Sequence, residues 1–173
     1  GKGGVALVLE RDYGIQLPKW MHGAISKVVQ KASENTGAEI TSLQIKSLYD
    51  EHFAAIDPQW ALSGYDLHTD AGVVKGTFKV PAVQPPLQGK GTGAIEALVQ
   101  ALEAAYGVTI RVTHFDENAL TEGTNAQAQA CIALDINGST YCSVITAEDT
   151  SAASLQAVLS AFSRRQIEQV HAA

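Results

Sequence analysis

The chain has 173 residues and a net charge of −6, and it is 46% hydrophobic but only 17% charged, against roughly 25% charged in an ordinary soluble domain. That length holds one domain, or a domain with a small appendage, and enough apolar residues for a sizeable core. The acidic balance excludes nucleic acid as a partner, because its phosphates demand clustered Lys and Arg, and no apolar run approaches the about 20 residues of a membrane span.

The shortage of charge points to surface covered by a partner. Two cysteines in this length read as reduced, cytosolic thiols rather than a disulfide framework. No signal peptide precedes the first apolar run. Residue 1 is glycine and the only methionine is Met21, so the chain is expected to be a piece of a longer protein.

Taken in order, Val5–Leu9 is a short apolar run read as a strand. The GKGG before it lacks the second Lys followed by Ser or Thr that a nucleotide-binding phosphate loop requires. Leu17, Trp20, Met21, Ala24, Ile25, Val28 and Val29 repeat at helical spacing, which predicts a helix from Pro18 to Asn35 ended by Thr36-Gly37. Thr41-Ser42-Leu43-Gln44 has the form of a capping box and opens a second helix carrying Ile45, Leu48, Tyr49 and Phe53. Residues 1–57 therefore form a small, mostly helical subdomain, and residues 58–173 a second domain.

From Gln59 the period becomes alternating. Gln59–Thr69 and Gly72–Val83 read as strands joined by a turn at Asp70-Ala71-Gly72, with Val74, Phe78 and Val80 on one face. After Pro85-Pro86, a short strand at Leu87–Gly89 leads into a loop of alternate glycines, Gly89, Gly91 and Gly93. Ile95, Leu98, Val99, Leu102 and Tyr106 then mark one face of a helix that Gly107 closes. A side-chain-free loop running into a helix start offers unpaired N–H groups at the positive end of the dipole, where a carboxylate or phosphate can be held.

Gly107–Phe115 is a strand, Asp116–Asn125 a polar connection, and Ala126–Ile136 and Ser139–Thr146 a hairpin turned by Asn137-Gly138. Asp149, Thr150 or Ser151 caps a final helix whose inner face carries Leu155, Val158, Leu159 and Phe162, with Arg164 and Arg165 at its end. Strand, strand, strand, helix thus occurs twice. That predicts an α+β fold of two βββα units with helices on one face of antiparallel sheet. The hairpin register places Cys131, Ala133, Cys142 and Val144 on the face away from the helices. Such a small, uncharged face predicts packing against a second copy of the chain.

The residues assemble no catalytic constellation. His22, His52, His68, His114 and His171 are scattered without HxH or HxxxH spacing, there is no CxxC, and no GxSxG elbow. Asp116 and Glu117 are available to accept from an amine. The glycine loop, with the apolar or small residues Val112, Phe115, Ala119, Ala126 and Ala128, suits a small amphipathic ligand such as an apolar amino acid.

The segments GKGGVALVLERDYGIQLPKWM, GKGTGAIEALVQAL, ENALTEGTNAQAQACIAL and TSAASLQAVLSAFSR resemble, in this order and over essentially the whole chain, the C-terminal part of 2-isopropylmalate synthases. The resemblance implies a helical subdomain followed by a leucine-binding regulatory domain that forms a homodimer in the cytoplasm. It implies a parent that condenses acetyl-CoA with 2-oxoisovalerate on a catalytic barrel holding a divalent metal. That barrel lies N-terminal to the matched region, so this part is expected to carry no catalytic residue and no cofactor. Carried over by motif, the implied leucine site is Gly91, Gly93, Ile95, Val112, Phe115, Ala119, Ala126 and Ala128. Phe115 stands where the family commonly has tyrosine. Two alternatives stay open: the isoleucine-binding domain of the sister citramalate synthases, which the GKGG…LPKWM segment disfavours, and a purely structural dimerisation domain.

Overall fold

A computed structural model describes residues 2–120 and 127–172, with side chains from residue 4 onward. The chain divides into two compact units, Gly1–Ala55 and Ile56–Ala173.

The first unit is three helices: α1 (Lys2–Tyr13), α2 (Lys19–Thr36) and α3 (Ser42–Tyr49), the last continued by a wider π turn over Asp50–Ala54. The strand expected at Val5–Leu9 is instead the middle of α1. Five consecutive apolar residues have no period of their own, and here Ala6 and Leu9 turn inward with Met21 and Ile25 of α2. Gly37 ends α2 in the left-handed conformation, with its N–H on the Ser33 carbonyl. The capping box at α3 is present in both directions: Thr41 accepts from the Gln44 N–H at 3.2 Å, and Gln44 accepts from the Thr41 N–H at 2.8 Å.

The second unit is α+β and duplicated. Its first repeat is β1 (Gly64–Asp70), β2 (Val73–Val80), β3 (Val83–Gly91) and α4 (Ala94–Tyr106). Its second is β4 (Ile110–Leu120), β5 (Gln127–Ile136), β6 (Ser139–Ala147) and α5 (Thr150–Ala172). Among the described residues each repeat has its own three-stranded antiparallel sheet, ordered β1-β2-β3 and β4-β5-β6, and each helix packs on the sheet that precedes it.

Four boundaries differ from expectation. Pro58–Trp60 forms a 3-10 turn, capped by Asp57, so β1 starts later than Gln59. β3 runs straight through Pro85-Pro86, because it is an edge strand and the prolines fall where its pairing with β2 shifts register, so no ladder N–H is missed. β4 continues through Asp116–Leu120, where a polar connection was expected; its polar residues pair with β5, as Glu117 does with Ala130. The rest of that connection, 121–125, lies outside the described residues. α5 extends well past Arg164 and Arg165 to Ala172.

The hairpin is as the sequence implies. Asn137 and Gly138 both have positive φ, 52° and 92°, which a two-residue turn of matching twist needs, and Cys131 sits opposite Val144 and Ala133 opposite Cys142. On the small face, Cys131, Ala133 and Val144 are already buried within one chain while Cys142 is half-buried, and the Gln129 amide lies over Cys131 Sγ.

One core unites the two repeats, with Phe78, Leu87, Leu98 and Leu102 of the first meeting Ile132, Leu134, Leu155 and Phe162 of the second. Trp60, Tyr106 and Phe162 form an aromatic cluster with ring centroids 5.0–6.0 Å apart. α5 is buried on every side from Ala153 to Ser163, so its polar groups must be satisfied internally. Gln156 accepts from the Leu62 N–H and donates to the Trp60 carbonyl, and Ser143 donates to the Ala157 carbonyl.

Candidate functional site

The three glycines before α4 do two different things. Gly89 and Gly91 are not loop residues but the end of β3. A Cβ on Gly89 would stand 2.1 Å from the Ala97 carbonyl oxygen, and one on Gly91 2.7 Å from Glu96 Cβ. They are glycine so that α4 can lie directly on the strand. Gly93 is the N-cap of α4, in an extended conformation with φ −156°, and a Cβ there would meet nothing within 4 Å.

Gly93 supplies no capping side chain, and the Thr92 hydroxyl donates to the Glu96 carboxylate at 2.6 Å rather than capping the backbone. The first N–H groups of α4 therefore have no side-chain cap, and they lie at the positive end of the helix dipole. α5 contrasts with this. Asp149 occupies its N-cap, accepting from the Ser151 N–H at 2.9 Å and from the Tyr65 hydroxyl at 3.2 Å.

The space in front of α4 is a cleft of about 690 Å³, within the range of small-molecule sites. One wall is the first turns of α4, with Gly93, Ala94, Ile95 and Val99. The floor is β4, with Ile110, Val112, Phe115 and Glu117, and the far wall is the start of α5, with Thr150, Ser151, Ser154 and Leu155. Phe115 pairs with Ile132 and Val112 with Leu134, which places both on the helix side of their sheet. Yet they remain 37% and 36% exposed, open to the cleft. Glu117 is held from α5 by the Ser154 hydroxyl, which donates to its Oε2. The cleft so offers uncapped backbone donors beside the Thr92–Glu96 pair at one end, the Glu117 carboxylate and the α5 hydroxyls at the other, Arg111 at its edge, and apolar side chains between.

Of the residues singled out from the sequence, Gly93, Ile95, Val112 and Phe115 line this cleft. Gly91 is packed under α4. Ala119 and Ala128 face each other across the β4–β5 ladder, with Ala128 in the core, and neither is among the lining residues. Ala126 lies outside the described residues. Glu117, noted as an amine acceptor, is in the cleft; Asp116 points to the opposite face, beside Cys131. Missed were the charged Glu96 and Arg111, the apolar Val99 and Ile110, and the α5 residues Thr150, Ser151, Ser154 and Leu155. Their only signal was the duplication, which sets the second helix start beside the strand that opens its repeat. Among the described residues no three His, Cys, Asp or Glu side chains gather as a metal-binding group, and no helix is long and apolar enough to cross a membrane.

Residues 39–166 match the family model described as the LeuA allosteric (dimerisation) domain. Among curated proteins the chain is similar to a 2-isopropylmalate synthase of Alcanivorax borkumensis, 41% identical over 169 residues, covering 96% of this chain and 30% of that protein. It is similar also to those of Rhodospirillum rubrum, at 36% identity over 93% of this chain and 30% of that protein, and Pseudomonas fluorescens, at 35% over 98% and 31%. The chain thus spans about 30% of the length of the curated relatives it matches.

Proposed function

The chain belongs to the LeuA allosteric (dimerisation) domain family, and on that premise we propose that it is the regulatory region of a 2-isopropylmalate synthase, binding L-leucine in the cleft before α4 and associating with a second copy of itself. The observation that carries this reading is the joint presence, around one cleft, of the three groups an apolar amino acid needs. The uncapped N–H groups beside Gly93 take the carboxylate. Glu117, aimed by Ser154, takes the ammonium. Ile95, Val112 and Phe115 take the branched side chain.

Apolar side chains left uncovered on the edge strands outside the cleft, Tyr65 and Leu67 on β1 and Leu120 on β4, favour association with a second copy. In the parent enzyme leucine would act as a feedback inhibitor of the condensation of acetyl-CoA with 2-oxoisovalerate. It can do so only by binding two states of that enzyme with different affinity.

The test is the thermal midpoint of the 173-residue chain titrated with L-leucine, L-isoleucine and L-valine. A ligand that binds only the folded state adds RT ln(1 + [L]/Kd), about 2.7 kcal/mol at a hundredfold excess over Kd. A rise largest for leucine is expected. A rise largest for isoleucine moves the assignment to the citramalate synthases, and no rise with any of the three, from a folded protein, leaves a structural dimerisation domain.

A further inference from the structure

The face of the first sheet turned away from α4 carries a charge pattern at odds with a chain of net charge −6. His68, Lys75 and Lys90 stand in one row across three strands, His68 opposite Lys75 on β2 and Lys75 opposite Lys90 on β3. Residues paired in this way share a face, and with strands roughly 4.8 Å apart the row spans about 10 Å. Like charges directly opposite one another oppose folding. Among the described residues neither Lys75 nor Lys90 makes an ion pair that would relieve it. The neighbouring row, Asp66, Thr77 and Gln88, adds a single carboxylate and two neutral hydrogen-bonding groups.

Together with Gly76, Gly89 and Gln100 of α4, which accepts from the Lys90 N–H over the edge of β3, these side chains line a cleft of about 480 Å³, a small-molecule volume, with none of the aromatic or aliphatic anchors that a protein partner uses. We propose that this cleft is a second binding site, separate from the one before α4, for a small molecule carrying a diphosphate. Two linked phosphate groups match the spacing of Lys75 and Lys90, one strand separation of roughly 4.8 Å, where a lone carboxylate meets only one of them. They neutralise both lysines at once, and lysine binds phosphate as a point charge without the fixed fork that arginine needs. Thr77 and Gln88 supply the neutral donors beside them.

Inorganic pyrophosphate is the probe, added to the 173-residue chain at constant ionic strength, with orthophosphate and sulfate as comparisons and amide chemical shifts and thermal midpoint as readouts. The expected result is saturable shifts at Lys75, Thr77, Gln88 and Lys90, with pyrophosphate at least tenfold tighter than either comparison ion. The Lys75→Gln/Lys90→Gln variant should bind it at least tenfold more weakly, melt no lower than the parent, and respond to L-leucine as the parent does. Equal response to all three ions, equal binding by the double variant, or shifts confined to the first amides of α4 would overturn the proposal.

Discussion

The hydroxyl of Ser154, on the first turns of α5, donates to the carboxylate of Glu117 on β4. One repeat's closing helix thereby fixes the direction of the single carboxylate on the floor of the cleft that the other repeat's helix opens. If that carboxylate receives the ligand's ammonium, Glu117→Gln removes a charge-assisted bond, worth roughly 1.5–3 kcal/mol. It keeps an oxygen for Ser154. Calorimetric titration should therefore show leucine binding weakened about tenfold or more, with little change in melting. Ser154→Ala is the converse: it costs about 1 kcal/mol of stability and loosens binding less than Glu117→Gln does.

The glycines before α4 separate by role under substitution. Gly89→Ala puts a Cβ 2.1 Å from the Ala97 carbonyl oxygen, a backbone atom that cannot step aside. Gly91→Ala meets Glu96 and the Ala97 nitrogen at 2.7–2.9 Å. Overpacking of this kind costs about 1–3 kcal/mol or more, so both variants should melt well below the parent, with Gly89→Ala the worse.

Gly93→Asp should do the opposite to stability. The extended φ suits any residue, nothing stands in the way of a side chain, and aspartate is among the best N-caps. Its carboxylate would sit on α4 as Asp149 sits on α5, where it accepts from the N–H two residues on. The variant is expected to melt at or above the parent temperature and to show no leucine-dependent rise. A folded Gly93→Asp protein that still binds leucine would refute the site.

The two cysteines should be inert. Burial, helped by the nearby Asp116 charge, pushes the Cys131 thiol up to about 12, and burial raises Cys142 as well. At pH 8 a thiol reagent is expected to label the native protein slowly and both thiols rapidly in denaturant. Because the folded-state value lies above that of the unfolded chain, the stability linked to Cys131 is complete below about pH 9 and is lost as pH rises toward 12. Cys131→Ala should flatten the decline in melting temperature over that window.

What could be read from the chain was what local chemistry decides. The Thr41–Gln44 capping box, the Asn137-Gly138 turn and the register it imposes on Cys131 and Val144 all follow from neighbours in sequence. So does the repeated strand-strand-strand-helix order. What escaped depended on partners distant in sequence. Val5–Leu9 becomes helix because Leu9 buries with Met21 and Ile25, not because of any period it carries. Gly89 and Gly91 resemble a ligand loop in sequence, but a glycine that lets a ligand approach and one that lets a helix approach are the same residue. The half of the cleft made by Thr150, Ser151 and Ser154 exists only once the second repeat is folded against the first, so Gly93, Ile95, Val112 and Phe115 were legible and their opposite wall was not.

The central claim is that one amphipathic amino acid sits between α4, β4 and α5. The most direct measurement is an amide chemical-shift titration of the chain with L-leucine. Saturable shifts at residues 93–96, at Val112, Phe115 and Glu117, and at 150–154, absent in Gly93→Asp, are the predicted result. Shifts that never saturate, or that gather on the outer face of the first sheet and spare the start of α4, would contradict it.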